Sequence, residues 1–189
     1  MGEISQDRCV PFIRKVDRMV LKILGLLMLF SVCTMIGLLK SMSLSKRVRQ
    51  LEGFQNALDA IASEIRYFAA PLEEIMEKFD SMPEYKELLV FGLCKKNFLK
   101  NRSFQSAWEK ALEQAKPTLS LNDGDREVLV WFGRSLGTTD ADGQAANCAR
   151  YGELLAQRLV NAREDTVKRG RMYTSLGVLA GVFCVTLLF

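Results

Sequence analysis

The chain has 189 residues, a net charge of +4 and no histidine. The lack of histidine excludes Ser/His/Asp and Cys/His triads, HExxH zinc sites and histidine general bases. Neither a GxxxxGKS/T phosphate loop nor a GxGxxG turn occurs. We therefore expect a protein that is not an enzyme and that binds no cofactor and no small-molecule substrate.

The first element is an uncharged run, Ile23 to Leu39. As a helix it is about 26 Å long, and flanking residues can extend it to a hydrocarbon core of ~30 Å. We assign residues 20–39 to a transmembrane helix. The alternative is a cleaved signal peptide, but the run is longer than the usual apolar region and no A-x-A-like site follows before Lys40.

Residues 40–171 are polar and close to neutral. They hold 21 Lys or Arg and 19 Asp or Glu, a net of only +2, which is too low for a nucleic-acid-binding surface. The five cysteines are scattered, at Cys9, Cys33, Cys94, Cys148 and Cys184. This spacing gives neither a disulfide framework nor a metal site, and it favours a reducing compartment.

Seven residues at the start of this segment, all apolar except Gln55, recur at alternating steps of four and three, typical of a long helix that packs against another. They are Leu44, Val48, Leu51, Gln55, Leu58, Ala62 and Ile65, widened by Phe54, Ile61 and Phe68. Pro71 ends this helix or begins the next turn. A second helix is predicted from Ser81, as N-cap, to about Leu99, with Pro83 in its first turn and Glu84 completing a capping box.

Three further helices are predicted. Ser103 caps the third, which Pro117 ends, and Ser120 with Asp123 starts the fourth. The apolar residues expected in their cores are Phe104, Ala107, Trp108, Ala111, Leu112, Ala115, Val128, Leu129, Phe132 and Leu136. The last helix is long and returns toward the membrane, with Tyr151, Leu155, Leu159 and Ala162 on its buried face.

The final run, Met172 to Phe189, carries no charge and predicts a second transmembrane helix over residues 172–189. The alternative is a buried core helix, but such a helix would show a polar face, and this run has only Thr174, Ser175 and Thr186. Because no pattern of alternating polarity competes, the sequence predicts an all-α fold. It is an antiparallel cytoplasmic helix bundle, residues 40–171, flanked by an N-terminal and a C-terminal transmembrane helix.

Basic residues set the expected orientation. Lys168, Arg169 and Arg171 precede the second membrane helix, so the positive-inside rule places the bundle in the cytoplasm. The first helix has basic residues on both sides, and translation from Met19 would remove most of those that precede it. We therefore treat residues 1–18 as an N-terminal extension, and leave open whether translation starts at Met1 or at Met19.

Three places are candidates for structural or interaction roles. The first is Gly133 to Gln144, where Gly137 suits a left-handed helix end and Asp140 suits a cap. Partner binding and a plain structural turn both remain open there. A calcium loop around Asp140 is excluded because its terminal glutamate is missing, so no metal is assigned.

The second candidate is Glu64, either an interface residue or a solvated carboxylate that pairs with Arg66. The third is the GxxxG step made by Gly177 and Gly181, which lets another helix approach closely. It would pair with the first membrane helix or with a second copy of the chain, or it reflects the ordinary frequency of glycine in membrane helices. Trp108, Trp131 and Phe132 are expected in the core rather than as a ligand platform.

Four segments, in the same order along the chain, resemble the stage III sporulation protein AB family. They are Leu58-x-x-Ile61-x-x-Glu64-Ile65-x-Tyr67 with Pro71-Leu72, Ser103-Phe104-x-x-Ala107-Trp108, Phe132-Gly133-x-Ser135-Leu136-Gly137-x-x-Asp140-x-x-x-Gln144, and Ser175-Leu176-Gly177-x-Leu179-x-Gly181. The likeness covers residues 19–189. This family in turn resembles the cytoplasmic domain of the inner-membrane platform proteins of type II secretion and type IV pilus machines.

The resemblance implies a membrane-anchored platform subunit of the channel complex between mother cell and forespore, required for endospore formation. It would lie in the mother-cell membrane with its bulk in the cytoplasm. Its implied partners are a secretion-type ATPase and the other channel subunits, and a homo-oligomer is possible on the glycine pattern. The alternative is a platform protein of general secretion or of pili, although such proteins usually carry two of these domains.

Overall fold

A computed structural model describes the backbone of residues 10–68 and 70–188, and it describes side chains from residue 24 onward except those of residues 69, 101, 184, 185 and 187–189. Within this part of the chain every regular element is helical. The α-helices are α1 (Val10–Phe68), α2 (Leu72–Ser81), α3 (Val90–Asn101), α4 (Phe104–Ala115), α5 (Asp123–Ser135) and α6 (Ala141–Leu188), with a 3-10 helix at Pro83–Leu88. The all-α prediction is confirmed.

The chain divides into two compact units. One is Ser43–Val167, and the other combines the residues before Ser43 with those from Lys168 onward. The predicted boundaries at residues 39/40 and 171/172 are close to these limits but are not tested by them. Half of the predicted extension, residues 1–9, lies outside the described residues.

The core of the Ser43–Val167 unit is built on α1. Leu51, Phe54, Leu58, Ile61 and Ile65 are all buried, as the stepped pattern predicts, because they repeat on one face of a 3.6-residue helix. Phe68 was predicted to widen this face, and that prediction is wrong. The residue is 71 % exposed and is the last one of α1.

The predicted second helix is wrong in its boundaries. Ser81 is the last residue of α2, and its hydroxyl donates to the carbonyl of Lys78 at 2.6 Å rather than capping a following helix. Residues 83–88 form a 3-10 helix, and Leu89 adopts a left-handed conformation with φ 56° before α3 begins. The break lets Leu88 and Val90 both reach the core, which two positions 200° apart on one α-helix could not do.

Helices α4 and α5 match their predicted extents, with a different cap on α5. Its N-cap is Asn122, not Ser120, and its capping box is closed by Asp125. The Asn122 side chain accepts from the Asp125 N–H at 2.8 Å, and Asp125 accepts from the Asn122 N–H at 3.1 Å. Ser103 precedes α4 as predicted, but its hydroxyl makes no capping hydrogen bond.

Aromatic side chains join these helices. Trp108 lies between Phe91 and Phe132, with ring centroids 6.0 and 5.5 Å away, and both it and Phe132 are fully buried. Trp131 was predicted in the core, and this is wrong because its ring is 50 % exposed and lies against the Arg134 guanidinium at 5.1 Å. Trp131 points about 100° away from Phe132 around α5, and this direction places it at the exposed edge of the helix rather than in the core.

The other unit holds the apolar parts of α1 and α6. By length and hydropathy, one candidate membrane span occurs among the described residues, in the helix segment Leu24–Phe68, and only 6 % of its apolar window is buried. The end of α6 is not among the candidates, and several of its last side chains lie outside the described part. The C-terminal crossing and the flanking antiparallel arrangement therefore stay predictions.

Candidate functional site

The Ser43–Val167 unit has an end at which α1 stops and α6 starts, and we call it the turn end. It comprises Glu64, Tyr67, Phe68, Leu72 and the turn at residues 137–144. A methyl group on Gly137 would lie 3.6 Å from Leu72 Cδ1, which places the turn beside the start of α2. Three of the predicted candidates, Gly137, Asp140 and Gln144, lie in this turn, and Glu64 lies one helical turn before Phe68.

The 137–144 turn is held by its own polar groups. Gly137 has φ +74°, the left-handed conformation that the sequence predicted for it. Asp140 Oδ1 accepts from the Gly143 N–H at 3.0 Å, which caps α6. Gln144 accepts from the Gly137 N–H at 3.2 Å and donates to the Thr139 carbonyl at 2.9 Å. The turn is thus a preformed shape, whether or not a partner uses it.

Glu64 and two aromatic side chains give the turn end its surface chemistry. Glu64 pairs with Lys78 at 2.6 Å rather than with Arg66, and the Lys78 ammonium also lies 5.9 Å from the centre of the Phe68 ring. Tyr67 is 75 % exposed. Tyr67 and Phe68 are thus two adjacent aromatic residues with most of their surface exposed.

Gly133 packs against the side chain of Trp108. It is buried beneath the Trp108 indole, and a methyl group at its Cα would overlap the ring atoms. Trp108 Nε1 donates to the Leu129 carbonyl at 2.8 Å, which fixes the ring at this position. The close approach of α4 and α5 therefore requires glycine here.

A buried charge cluster was missed by sequence reasoning. Arg47 on α1 donates to both carboxylate oxygens of Asp125, at 2.7 and 3.0 Å, and to Asp165 on α6 at 3.5 Å. The Asp125 side chain is fully buried, and these hydrogen bonds raise the pKa of the Arg47 guanidinium. The spacing of Arg47 from Leu51 and Phe54 is the signal that could have found it, because positions i, i+4 and i+7 share one helix face.

Gln50 continues this polar seam one turn along α1. Its side-chain oxygen accepts from the Ser120 N–H at 2.7 Å, and its amide donates to the Thr118 carbonyl at 3.4 Å. These bonds tie the loop between α4 and α5 to the long helix. The cluster and Gln50 together join three helices and a loop through polar contacts.

Cys94 and Cys148 are buried thiols of this unit. Burial raises the pKa of Cys94 and of Cys148 to about 12, so at neutral pH both thiols are protonated and poor nucleophiles. Among the residues searched, which are those the structure describes, no group of three His, Cys, Asp or Glu side chains is close enough to hold a metal ion.

The other unit contains a glycine seam, formed by Gly37 of α1 and by Gly177 and Gly181 of α6. A methyl group on Gly177 would lie 3.2 Å from the Gly37 Cα, and one on Gly37 would lie 2.7 Å from the Tyr173 carbonyl oxygen. Gly181 faces the Phe30 ring. The predicted GxxxG step is therefore in contact with α1 of the same chain, and Gly37 takes part although its role was not predicted.

The sequence of the chain matches a known protein family. The sequence model described as Stage III sporulation protein AB (spore_III_AB) matches residues 22–189. The chain belongs to the stage III sporulation protein AB family. The match includes the turn end, the buried charge cluster and the glycine seam, and residues 1–21 lie outside it.

Two members of the stage III sporulation protein AB family illustrate the likeness. The Stage III sporulation protein AB of Bacillus subtilis (strain 168) is 28 % identical over 169 residues, which are 89 % of this chain and 99 % of that protein. A solved structure of Stage III sporulation protein AB (SpoIIIAB) superposes with a TM-score of 0.57 and 26 % identity, and it covers 64 % of this chain and 96 % of the solved chain. Membership of this family supports a role in sporulation.

Proposed function

We propose that the chain is a membrane-anchored platform subunit of the transenvelope complex between mother cell and forespore, required for endospore formation. The family to which it belongs is named for sporulation stage III. The structural observation that supports the anchoring is α1, in which most of the side chains described between Leu24 and Leu39 are exposed, while Leu51, Leu58 and Ile65 lie in the core of a helical unit. A soluble core helix would instead be buried along its apolar length.

We propose that α6 also crosses the membrane, at residues 172–189. Leu176, Leu179 and Phe183 are more than half exposed, and the intervening glycines contact α1. Lys168, Arg169 and Arg171 precede this segment, so the positive-inside rule favours the cytoplasm of the mother cell for the helical unit. Both anchors would then enter the bilayer from the same side and close the bundle as an antiparallel pair.

The turn end is the surface that we propose for the secretion-type ATPase. Its support is the exposed aromatic pair Tyr67 and Phe68 beside the rigid 137–144 turn, with the Glu64–Lys78 pair as a polar rim. Interfaces are enriched in such aromatics, surrounded by polar groups that remain hydrated. Catalysis is left to the partner, since a chain without histidine and without a phosphate loop has few groups for it.

Deletion and fractionation test this function. The expected results are expression only during spore formation, a block in forespore development on deletion, and rescue by the intact gene. The protein should also remain in membranes after washing with alkaline carbonate. Expression in vegetative cells beside a pseudopilin would favour the general secretion or pilus platform, and normal spores from the deletion strain would refute the proposal.

A further inference from the structure

A groove runs along the surface of the unit that contains the glycine seam. Its volume is about 370 Å³, and it is lined by Gly37 and Gly177 of the seam and by apolar side chains that include Ile36 and Leu176. The groove exists because glycine and alanine on the two helices leave space that larger side chains would fill. It is a slot shaped for a narrow apolar group.

The polar groups of the groove are gathered at one end. Lys40 and Tyr173 line it there, and Cys33 and Ala180 line the opposite end. Cys33 lies seven residues before Lys40, which is about 10 Å along the helix. The lining thus passes from a cation and an aromatic residue to wholly apolar walls.

The charge of the groove at this end is positive. Residues 18–42 and 168–189 contain no Asp or Glu. Lys40 is exposed and forms no ion pair with any residue whose side chain the structure describes. A cation at the mouth of an apolar groove complements a molecule with an anionic head and a hydrocarbon tail.

We propose that this groove binds an anionic glycerophospholipid of the surrounding membrane, with its phosphate at Lys40 and an acyl chain along Ile36, Leu176 and Ala180. The inference rests on the proposed function in one respect, that both α1 and α6 cross the membrane. Tyr173 supports the depth of the headgroup, because tyrosines concentrate at the membrane–water interface. A second copy of the chain fits the groove less well, since a symmetric pair would place two Lys40 cations at one depth.

Native mass spectrometry of the full chain, released from detergent, tests the lipid preference. The protein is offered equal amounts of phosphatidylglycerol and phosphatidylcholine with identical acyl chains. We expect about fivefold more bound phosphatidylglycerol, the effect of one basic residue near an anionic headgroup. Lys40→Gln should bring the ratio close to one. Lys46→Gln removes the same charge outside the groove and should leave the ratio unchanged.

A second pair of variants tests the apolar part of the site. Ala180→Phe fills the groove and should lower the binding of both lipids, whereas Leu179→Phe adds a similar side chain at a neighbouring exposed position and should not. Equal binding of the two lipids to the unmodified chain, an unchanged ratio in Lys40→Gln, or a dimer in place of the lipid-bound monomer would overturn the inference.

Carbonate extraction and labelling of both chain ends on the same membranes separate the two proposals. A chain that is embedded at both ends but has no preference for the anionic lipid refutes the lipid site alone. A chain that is not embedded at both ends refutes the membrane arrangement and the lipid site together.

Discussion

Arg47 and Asp125 form an ion pair in the interior of the Ser43–Val167 unit. Removing two charges from water is costly, and the attraction between them offsets this only when hydrogen bonds are well formed. Here the guanidinium makes two bonds to one carboxylate, at 2.7 and 3.0 Å. The pair therefore contributes modestly while intact, and a large cost arises when one partner is removed.

Replacement of Asp125 by alanine should strongly destabilise the protein. The change leaves the Arg47 guanidinium buried beside the partly exposed Asp165, and it also removes one half of the α5 capping box. We expect a loss of about 3–5 kcal/mol in the free energy of unfolding. Denaturant unfolding of the full chain in detergent, followed by far-ultraviolet circular dichroism, measures it.

Asp123→Ala is the matched control, because Asp123 is fully exposed and its carboxylate lies 4.0 Å from Arg126. It should change the stability by less than about 0.5 kcal/mol. The double variant Arg47→Leu with Asp125→Leu should recover much of the loss, since an apolar pair has no buried charge to satisfy. Equal free energies of unfolding for Asp125→Ala and Asp123→Ala would show that the stability of the protein does not depend on the buried pair.

Gly133 and Gly53 are both helical glycines, and the space around them differs. Gly133→Ala should destabilise by about 1–3 kcal/mol, because its methyl group would overlap the Trp108 ring. Gly53→Ala should be neutral or stabilising by up to about 1 kcal/mol, because its methyl group would lie 3.5 Å from Leu88 Cδ1 in ordinary contact. The same unfolding measurement compares them, and a stabilising Gly133→Ala would contradict the packing described.

At the scale of helices, the sequence pattern succeeded where one face stays buried over several turns. The buried faces of α1, α4 and α5 could be predicted from apolar spacing alone, as Leu51, Leu58 and Ile65 illustrate. The break at Leu89 could not, because it depends on Leu88 and Val90 both finding space in the core. A local capping signal at Ser81 was correspondingly misleading, since tertiary packing outweighs a cap of about 1 kcal/mol.

Among the candidate residues too, local features could be predicted and contacts between distant residues could not. The conformations of Gly137 and the capping role of Asp140 follow from local chemistry and were predictable. The partners of Glu64 and Gly133 are distant in sequence, on α2 and α4, so one sequence could not supply them. The Arg47–Asp125 pair spans 78 positions, so the spacing that places Arg47 on the buried face of α1 does not identify its partner.

The glycine seam predicts a difference between two glycines of α1. Gly37→Leu should separate α1 from α6, because its side chain has no space beside the Tyr173 carbonyl and the Gly177 Cα. Gly25→Leu is the control, since nothing lies within 4 Å of a methyl group there.

The rate at which a disulfide forms between α1 and α6 measures this separation. A methyl group on Gly170 would lie 3.3 Å from Ser41 Oγ, so Ser41→Cys with Gly170→Cys, in a chain without its natural cysteines, should oxidise readily. Gly37→Leu should slow the oxidation severalfold and Gly25→Leu should not. Equal rates in both variants would mean that the seam does not hold the helices together.

At the scale of the whole molecule, family membership and the helical structure support the same proposed function. The family supports a role in sporulation, the exposed apolar segment of α1 after Leu24 favours membrane association, and the turn end has an exposed pair of aromatic residues. They are the support for our proposal of a platform that is held by membrane helices and contacted through its helical unit. The central claim is that the turn end meets the ATPase during sporulation.

Site-specific photocrosslinking in sporulating cells measures this contact most directly. A photoreactive amino acid replaces Tyr67, and in a control strain it replaces Val160, which is also exposed and lies about 24 Å along α6 from Gln144. The account predicts an adduct with a secretion-type ATPase from position 67 and none from position 160. The account would be contradicted if the strain sporulates normally and the protein with the photoreactive residue at position 67 is in the membrane, yet no ATPase adduct forms.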